Sequence, residues 1–530
     1  MRARRRAAVA AAIAVALVPT TAAAQRGVPA STPAPVTFEF VGRYSTGLSG
    51  NSAEIATVLG DRLYVSNADA VAVDVVDVSE PDDPELLTRV DLSGYGAEVT
   101  SVAAKGDLVA ASVVADPKTD PGTVVLMDRD GAVLATTTVG ALPDALTFTP
   151  DGKRIVVVNE GEPNSYGQPD SVDPEGSVSI VTVPPAIGRA RGRVPLPTRT
   201  IDFRAFNAGG DRHGELPAGV RIFGPGASVA QDLEPEYATV TPDGRTAYVT
   251  LQENNALAVL ELPSGEIRSI VALGEKDHGM YPLDASDRDD AINIRTWAGV
   301  RGMYMPDQAA AFTVAGRTYV LTANEGDARE YDGFEEEARA RSVADTSVLP
   351  AAAINAELGR LNVTISQPAT AAPPTENGQT ELYAFGARSF SIWDAAGTQV
   401  WDSGDLLEQL VAHVFPDDFN SDNDENDSFD SRSDSKGPEP EPATVGVLGD
   451  RTLAFVGLER QGGVVVADVS DPSAPVVLQY VVTRDFTGDE VGPDSGPESI
   501  TFVADGPTGQ PLLAVSNEVT GTVALFTVTG

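Results

Sequence analysis

Ser431–Ala474, SRSDSKGPEPEPATVGVLGDRTLAFVGLERQGGVVVADVSDPSA, contains one complete structural unit of this chain. The run Gly437-Pro438-Glu439-Pro440-Glu441-Pro442 leads into a first strand, Ala443–Leu448, which Gly449-Asp450 turns back. A second strand, Thr452–Gly457, ends at the charged corner Glu459-Arg460. Gly462-Gly463 turns the chain into a third strand, Val464–Val469, and Asp468-Val469-Ser470-Asp471-Pro472 leads to a fourth, Pro475–Val482. Four short apolar runs bounded by turn residues in about 45 residues give the period of a β-propeller blade.

The unit recurs. Asp77-Val78-Ser79-Glu80-Pro81 repeats the turn at Asp468–Pro472 almost residue for residue, in the same place within its unit. An acid opens each of seven units, at Glu54, Glu98, Asp144, Glu236, Asp307, Glu441 and Glu498. The longer later gaps predict insertions at roughly 185–230, 275–304, 332–378 and 405–436. The third of these holds a helical run, Phe334–Leu361, rich in Glu, Ala and Arg and interrupted at Pro350. The last unit has only three strands. The lone strand Val36–Tyr44 is expected to supply its fourth by pairing near Val523–Val528, which would protect the sheet edges. The expected fold is therefore all-β: a seven-bladed β-propeller over residues 36–530, closed by an N-terminal strand, with several loop insertions and one short helical insertion.

Composition narrows the function. The formal net charge of −40 argues against nucleic acid, whose phosphates would be repelled, and is compatible with binding divalent cations; it is equally what a highly soluble protein carries. With no cysteine, thiol nucleophiles, disulfides and thiolate zinc sites are excluded. The three histidines, His213, His278 and His413, are far apart in sequence and argue against a multi-histidine metal site. Arg2, Arg4, Arg5 and Arg6, the apolar stretch Ala7–Val18 and the small residues Ala22-Ala23-Ala24 read as a secretory signal over residues 1–24, followed by a Pro/Ala/Thr-rich disordered leader over 25–35. No membrane span, anchor or sorting tail is expected, so the protein reads as secreted, extracellular and monomeric.

In a blade, the approach to strand one and the exit from strand two lie on the same face of the disc. Both places carry acids here. The exits hold Asn159-Glu160, Gln252-Glu253, Asn324-Glu325, Glu459 and Asn517-Glu518. One face should then present carboxylates and amides around the channel mouth, the hard oxygen ligands that Ca²⁺, and less readily Mg²⁺, prefer. The metal-ligand candidates are Asp144, Glu160, Glu236, Glu253, Asp307, Glu325, Asp327, Glu439, Glu441, Glu459, Glu498 and Glu518. A repeated Glu can instead bond backbone amides between neighbouring blades. Arg329, Arg432, Lys436 and Arg460 stand close by in sequence, either to offset the acids or to meet a phosphorylated or surface ligand. The insertion Asp417–Asp434 alternates Asp, Asn and Ser like a calcium loop, but lacks the Gly and final Glu of an EF-hand. No G-x-S-x-G elbow, Walker loop or H-E-x-x-H occurs.

Pro143-Asp144-Ala145, Asn159-Glu160-Gly161-Glu162-Pro163, Glu234-Pro235-Glu236, Met305-Pro306-Asp307, Ala323–Arg329 and Arg432-Ser433-Asp434 with Lys436–Glu441 form an ordered set of motifs. Together they resemble the bacterial choice-of-anchor I family, which is similar to the echinoderm mesenchyme-specific cell-surface glycoprotein. The resemblance covers about residues 36–530 and implies a secreted or surface-attached propeller. It transfers no catalytic residue. The first reading is a cation-binding extracellular or surface-associated module. The alternative is a calcium-dependent phosphoesterase, alkaline phosphatase-like or phytase-like, in which Arg329, Arg460 or Lys436 would meet the substrate phosphate.

Overall fold

The structure is a computed structural model that describes residues 35–48, 51–185, 187, 194–488 and 490–530. The signal peptide expected at 1–24 and all of the leader but Pro35 lie outside the described residues. The chain is all-β. Seven four-stranded antiparallel sheets follow one another along it. We number them 1 to 7, with first strands Ala56–Leu59, Glu98–Lys105, Pro143–Phe148, Ala238–Val240, Ala309–Val314, Pro440–Leu448 and Pro497–Val503. Sheet 7 takes its outermost strand from the other end of the chain. Thr37–Ser45 pairs antiparallel with Thr522–Thr529, Thr37 opposite Thr529 and Tyr44 opposite Val523. The first strands touch in the order of their sheets, and that of sheet 7 touches that of sheet 1.

Period-two alternation explains the stacking. In Arg154–Asn159, Ile155 and Val157 pack with Ala110 and Val124 of sheet 2, while Val156 and Val158 pack with Ala247 and Val249 of sheet 4. Each central strand is thus apolar on both faces, as a strand between two neighbouring layers must be. Seven apolar clusters fill the seven gaps, including one between sheets 7 and 1 built on Tyr44, Leu63, Val65, Leu512 and Leu525. Outermost strands are wetter: Glu85–Asp91 is exposed along most of its length. The repeated turns also share their bonding. Ser79 and Ser470 each donate a backbone N–H to the carboxylate two residues back, and the intervening Val78 and Val469 are fully buried.

The insertions depart from expectation in one respect. Phe334–Leu361 is not a helical run. It begins as short strands, Phe334–Glu335 and Glu337–Arg339, and forms only single turns at Ala340–Val343, Ala351–Ile354 and Leu358–Arg360. Asp345 stops the first turn by accepting both the N–H and the O–H of Ser347, and Pro350 caps the next. The longest helix among the described residues is Leu406–Val414, with Leu407, Leu410 and Val411 buried against sheets 5 and 6. The segment 325–388 separates the second and third strands of sheet 5. It packs against residues 275–303 through Leu283, Trp297, Val300, Leu349, Leu361 and Leu382.

Candidate metal centre at the channel mouth

Strand pairing brings the opening and exit acids together. Glu160 donates its N–H to Leu142, Glu459 to Glu439, and Glu518 to Gly496, each two residues before an opening acid. The residue ahead of the opening Pro-acid pair has positive φ in four sheets: Leu142 (45°), Met305 (43°), Glu439 (51°) and Gly496 (73°). A left-handed non-glycine residue costs on the order of 1–3 kcal/mol, so this repeated conformation is held by its surroundings. It turns the chain sharply just before the acid.

The result is a cavity of about 370 Å³ lined by Glu54, Asp144, Glu236, Asp307, Glu325, Asp327, Glu441, Glu459, Glu498 and Glu518, with Lys436 and Arg460. Glu160, Glu253 and Glu439 stand behind this wall and are buried. Glu98 of sheet 2 does not reach it; Thr100 and Ser101 line it there. Of the expected amides, Gln252 lines the cavity and donates to Glu325 Oε2 at 2.8 Å, whereas the asparagines are a correction. Asn159 and Asn324 use their amides inside their own sheets, on Ser177 and Ser179 and on Ser389 and Ser391, and Asn517 turns back on Val515 and Thr522. Carboxylates outnumber the amides Gln252 and Gln308 at the mouth.

Four groups of three carboxylates, among the described residues, place ligand oxygens within 4.8 Å of one another: Asp144, Glu160 and Glu236; Glu160, Glu234 and Glu253; Asp307, Glu325 and Glu441; Glu325, Glu439 and Glu459. Oxygens at 2.3–2.6 Å on opposite sides of a Ca²⁺ ion are up to roughly 5 Å apart, so each group fits one coordination shell. Glu234, absent from the sequence candidates, was legible in Glu234-Pro235-Glu236, where it stands as Glu439 stands before Glu441.

The groups differ in their counter-charges. At the corner of sheets 5 and 6, Lys436 Nζ lies 2.7 Å from Glu325 Oε1 and 3.1 Å from Glu439 Oε2. Arg432 Nε donates to Glu439 Oε1 at 2.9 Å, and Arg460 Nε reaches Glu439 Oε2 and Glu459 Oε1, both at 3.2 Å. Although burial pushes the Glu439 carboxyl up, Lys436, Arg432 and Arg460 hold it down at about 2. Burial outweighs the single arginine at Glu459, which is pushed up to about 8. At the corner of sheets 3 and 4, no ion pair within 4.0 Å reaches Asp144, Glu160, Glu236 or Glu253 among the described residues; Arg329 reaches Glu234, at 2.7 Å. Burial and neighbouring acids push Asp144 up to about 7 and Glu160 and Glu236 well above the carboxylate range. Burial, against the pull of Arg329, pushes Glu253 up to about 8.

The cationic candidates are already engaged. Arg329 is a correction: only 1% of its side chain is exposed, and it is clasped by Asp232 and Glu234, with Phe223 at 4.4 Å. It is an internal counter-ion. Arg432, Lys436 and Arg460 line a second open cleft of about 730 Å³ beside the channel, but each already holds carboxylates there. The acidic insertion also differs from a calcium loop. Asp434 pairs with Arg339 and Arg360, Asn423 binds Glu459 and Arg460, and none of the four carboxylate groups draws on it. His278 is buried and bonded to the Tyr281 carbonyl, in no carboxylate group. No helix among the described residues is long and apolar enough to cross a membrane.

With this geometry in place, the chain's relatives can be stated. The choice-of-anchor I domain matches residues 56–472, and the chain belongs to that family. It is 32% identical over 199 residues to gigasin-3a of Magallana gigas, a match spanning 34% of this chain and 68% of gigasin-3a. It is 27% identical over 380 residues to the mesenchyme-specific cell surface glycoprotein of Strongylocentrotus purpuratus, spanning 61% of this chain and 48% of the glycoprotein. The chain thus covers about half of that relative. Among solved structures, the hydrazine synthase of Kuenenia stuttgartiensis aligns over 91% of this chain and 97% of its own, at 12% identity and a TM-score of 0.44. The Cps50 (Swd1) β-propeller domain of Myceliophteria thermophila aligns over 93% and 100%, at 10% identity and a TM-score of 0.42.

Proposed function

We infer that the seven sheets are the blades of a closed β-propeller, joined by the N-terminal strand. On this reading the protein is an extracellular, surface-associated module whose channel mouth binds divalent cations, Ca²⁺ in preference to Mg²⁺. The surface assignment draws on the choice-of-anchor I family and on the cell-surface name of the sea-urchin relative. It agrees with the secretory character of residues 1–24. The observation that carries cation binding is the convergence of ten acids on one cavity that only Lys436 and Arg460 offset. Crowded carboxylates stay ionised only beside a cation, and the ligand set is the hard oxygen set of Ca²⁺. Mg²⁺ demands a near-ideal octahedron and keeps several of its waters, which suits a crowd of converging carboxylates less well than the larger, flexible shell of Ca²⁺.

An ion that binds only the folded state must raise the melting temperature, by roughly 2.7 kcal/mol of stabilisation at a hundredfold excess over Kd. Thermal melting of the chelated protein, titrated with calcium and separately with magnesium, should show a saturable rise for calcium at lower concentration. No rise at millimolar calcium would remove the reading.

A further inference from the structure

The four carboxylate groups are not equivalent as ion sites. At the corner of sheets 5 and 6, the three carboxylates of Glu325, Glu439 and Glu459 are matched by three cationic side chains, Lys436, Arg432 and Arg460. Lys436 Nζ lies where an ion bound to Glu325 and Glu439 would have to sit. The protein supplies its own cation there.

At the corner of sheets 3 and 4, five carboxylates stand together: Asp144, Glu160, Glu234, Glu236 and Glu253. One guanidinium, Arg329, offsets Glu234, and it is shared with Asp232. With all five ionised, at least four negative charges would be uncompensated, the charge of two divalent ions. A second observation separates this cluster from an ordinary acidic patch. Glu234 and Glu253, 0% and 5% exposed, each bury a carboxylate oxygen with no hydrogen-bond partner. Such an oxygen is strongly unfavourable unless a proton or an ion meets it.

Glu160 belongs to both groups at this corner. Its two oxygens can serve one ion each. Asp144 and Glu236 line the channel cavity, and Glu253 lines the neighbouring cleft, so the two groups that share Glu160 border different cavities.

We propose that this corner is a two-ion calcium site bridged by Glu160, the inner ion held by Asp144 and Glu236 and the outer by Glu234 and Glu253. The proposal rests on the cation-binding reading above, and it adds the location, the number of ions and the bridging ligand. Lys436, paired with Glu325 at 2.7 Å, excludes an ion from both groups that share Glu325, the one with Glu439 and Glu459 and the one with Asp307 and Glu441.

Isothermal titration of the chelated full chain with calcium chloride, at physiological ionic strength to suppress diffuse binding by surface acids, should give two saturable sites. Glu160→Gln should lose both. Asp144→Asn and Glu253→Gln each touch one group and should each reduce the count from two to one. Glu459→Gln should retain two. Wild-type protein that binds no calcium would overturn the cation reading itself. Wild-type protein that binds calcium at one site, or a Glu160→Gln protein that keeps two, would overturn the bridged pair and leave the broader reading standing. Should Glu160→Gln fail to fold, by circular dichroism, the two single-group variants decide: a count of two in both contradicts the proposal.

Discussion

Two corners of one channel mouth carry the same chemistry and solve it in opposite ways. Between sheets 5 and 6, the buried Glu439 is enclosed by Lys436, Arg432 and Arg460, and it is ionised. Between sheets 3 and 4, the buried Glu160 and Glu253 have no such partners, and burial drives them toward the protonated form. Both corners come from the same repeated positions, an opening acid after proline and an exit acid after strand two. The difference lies in what the insertions deliver. Arg432 and Lys436 arrive on the segment before sheet 6, whereas Arg329, on the segment between the second and third strands of sheet 5, is consumed by Asp232 and Glu234. A repeat therefore fixes where acids converge, and the insertions decide where the protein supplies its own counter-ion.

The largest test is to remove the internal cation. Lys436→Met should destabilise the protein by about 3–5 kcal/mol, because it strands buried charge on Glu325 and Glu439. Chemical denaturation would measure it, and a change under about 1 kcal/mol would mean the corner is not held together by that lysine. The opposite corner should respond with the opposite sign. In chelator, Glu160→Gln should be neutral or stabilising by about 1 kcal/mol, since it deletes an uncompensated buried acid. The same variant should abolish the rise in melting temperature on adding calcium.

The pH response should separate the corners too. Asp144 and Glu253 are raised above their unfolded values of 3.8 and 4.5, to about 7 and about 8. Their contribution is complete below the unfolded values and is lost as pH rises through the folded ones. Glu439 is lowered to about 2, so its contribution is present above 4.5 and is lost as pH falls through 2. Melting of chelated protein should therefore weaken as pH rises from about 5 to about 8, and calcium should remove much of that slope. Glu459, also raised to about 8, leaves a residue of alkaline loss that calcium does not correct. The smallest effect is expected at Glu98, which lies outside the cavity: Glu98→Gln should leave the calcium count unchanged.

The repeat was readable in the sequence because its signals are local. Gly-Asp turns, the Asp-Val-Ser-x-Pro corners and period-two valines are each contained within a few residues, and each reappears in the structure with the same hydrogen bonds. The acids of the mouth were readable for the same reason. What was not readable depends on distant partners. Nothing local to Arg329 says that Asp232 and Glu234 will bury it, and nothing local to Asn159 says that Ser177 and Ser179 will claim its amide. The helix at Leu406–Val414 did carry a local signal, apolar residues at 406, 407, 410 and 411, beneath the heavier acidic composition of its insertion. Phe334–Leu361 shows the reverse: helix-forming composition yielded to the Asp345 turn and to strand pairing with Asn362–Thr364.

The most direct measurement is a crystal structure of the full chain grown in calcium. The account predicts two ions at the corner of sheets 3 and 4, one among Asp144, Glu160 and Glu236 and one among Glu160, Glu234 and Glu253, with Lys436 Nζ still between Glu325 and Glu439. Ions beside Glu439 in place of Lys436, or no ion at the Glu160 corner under calcium that saturates the melting response, would contradict it.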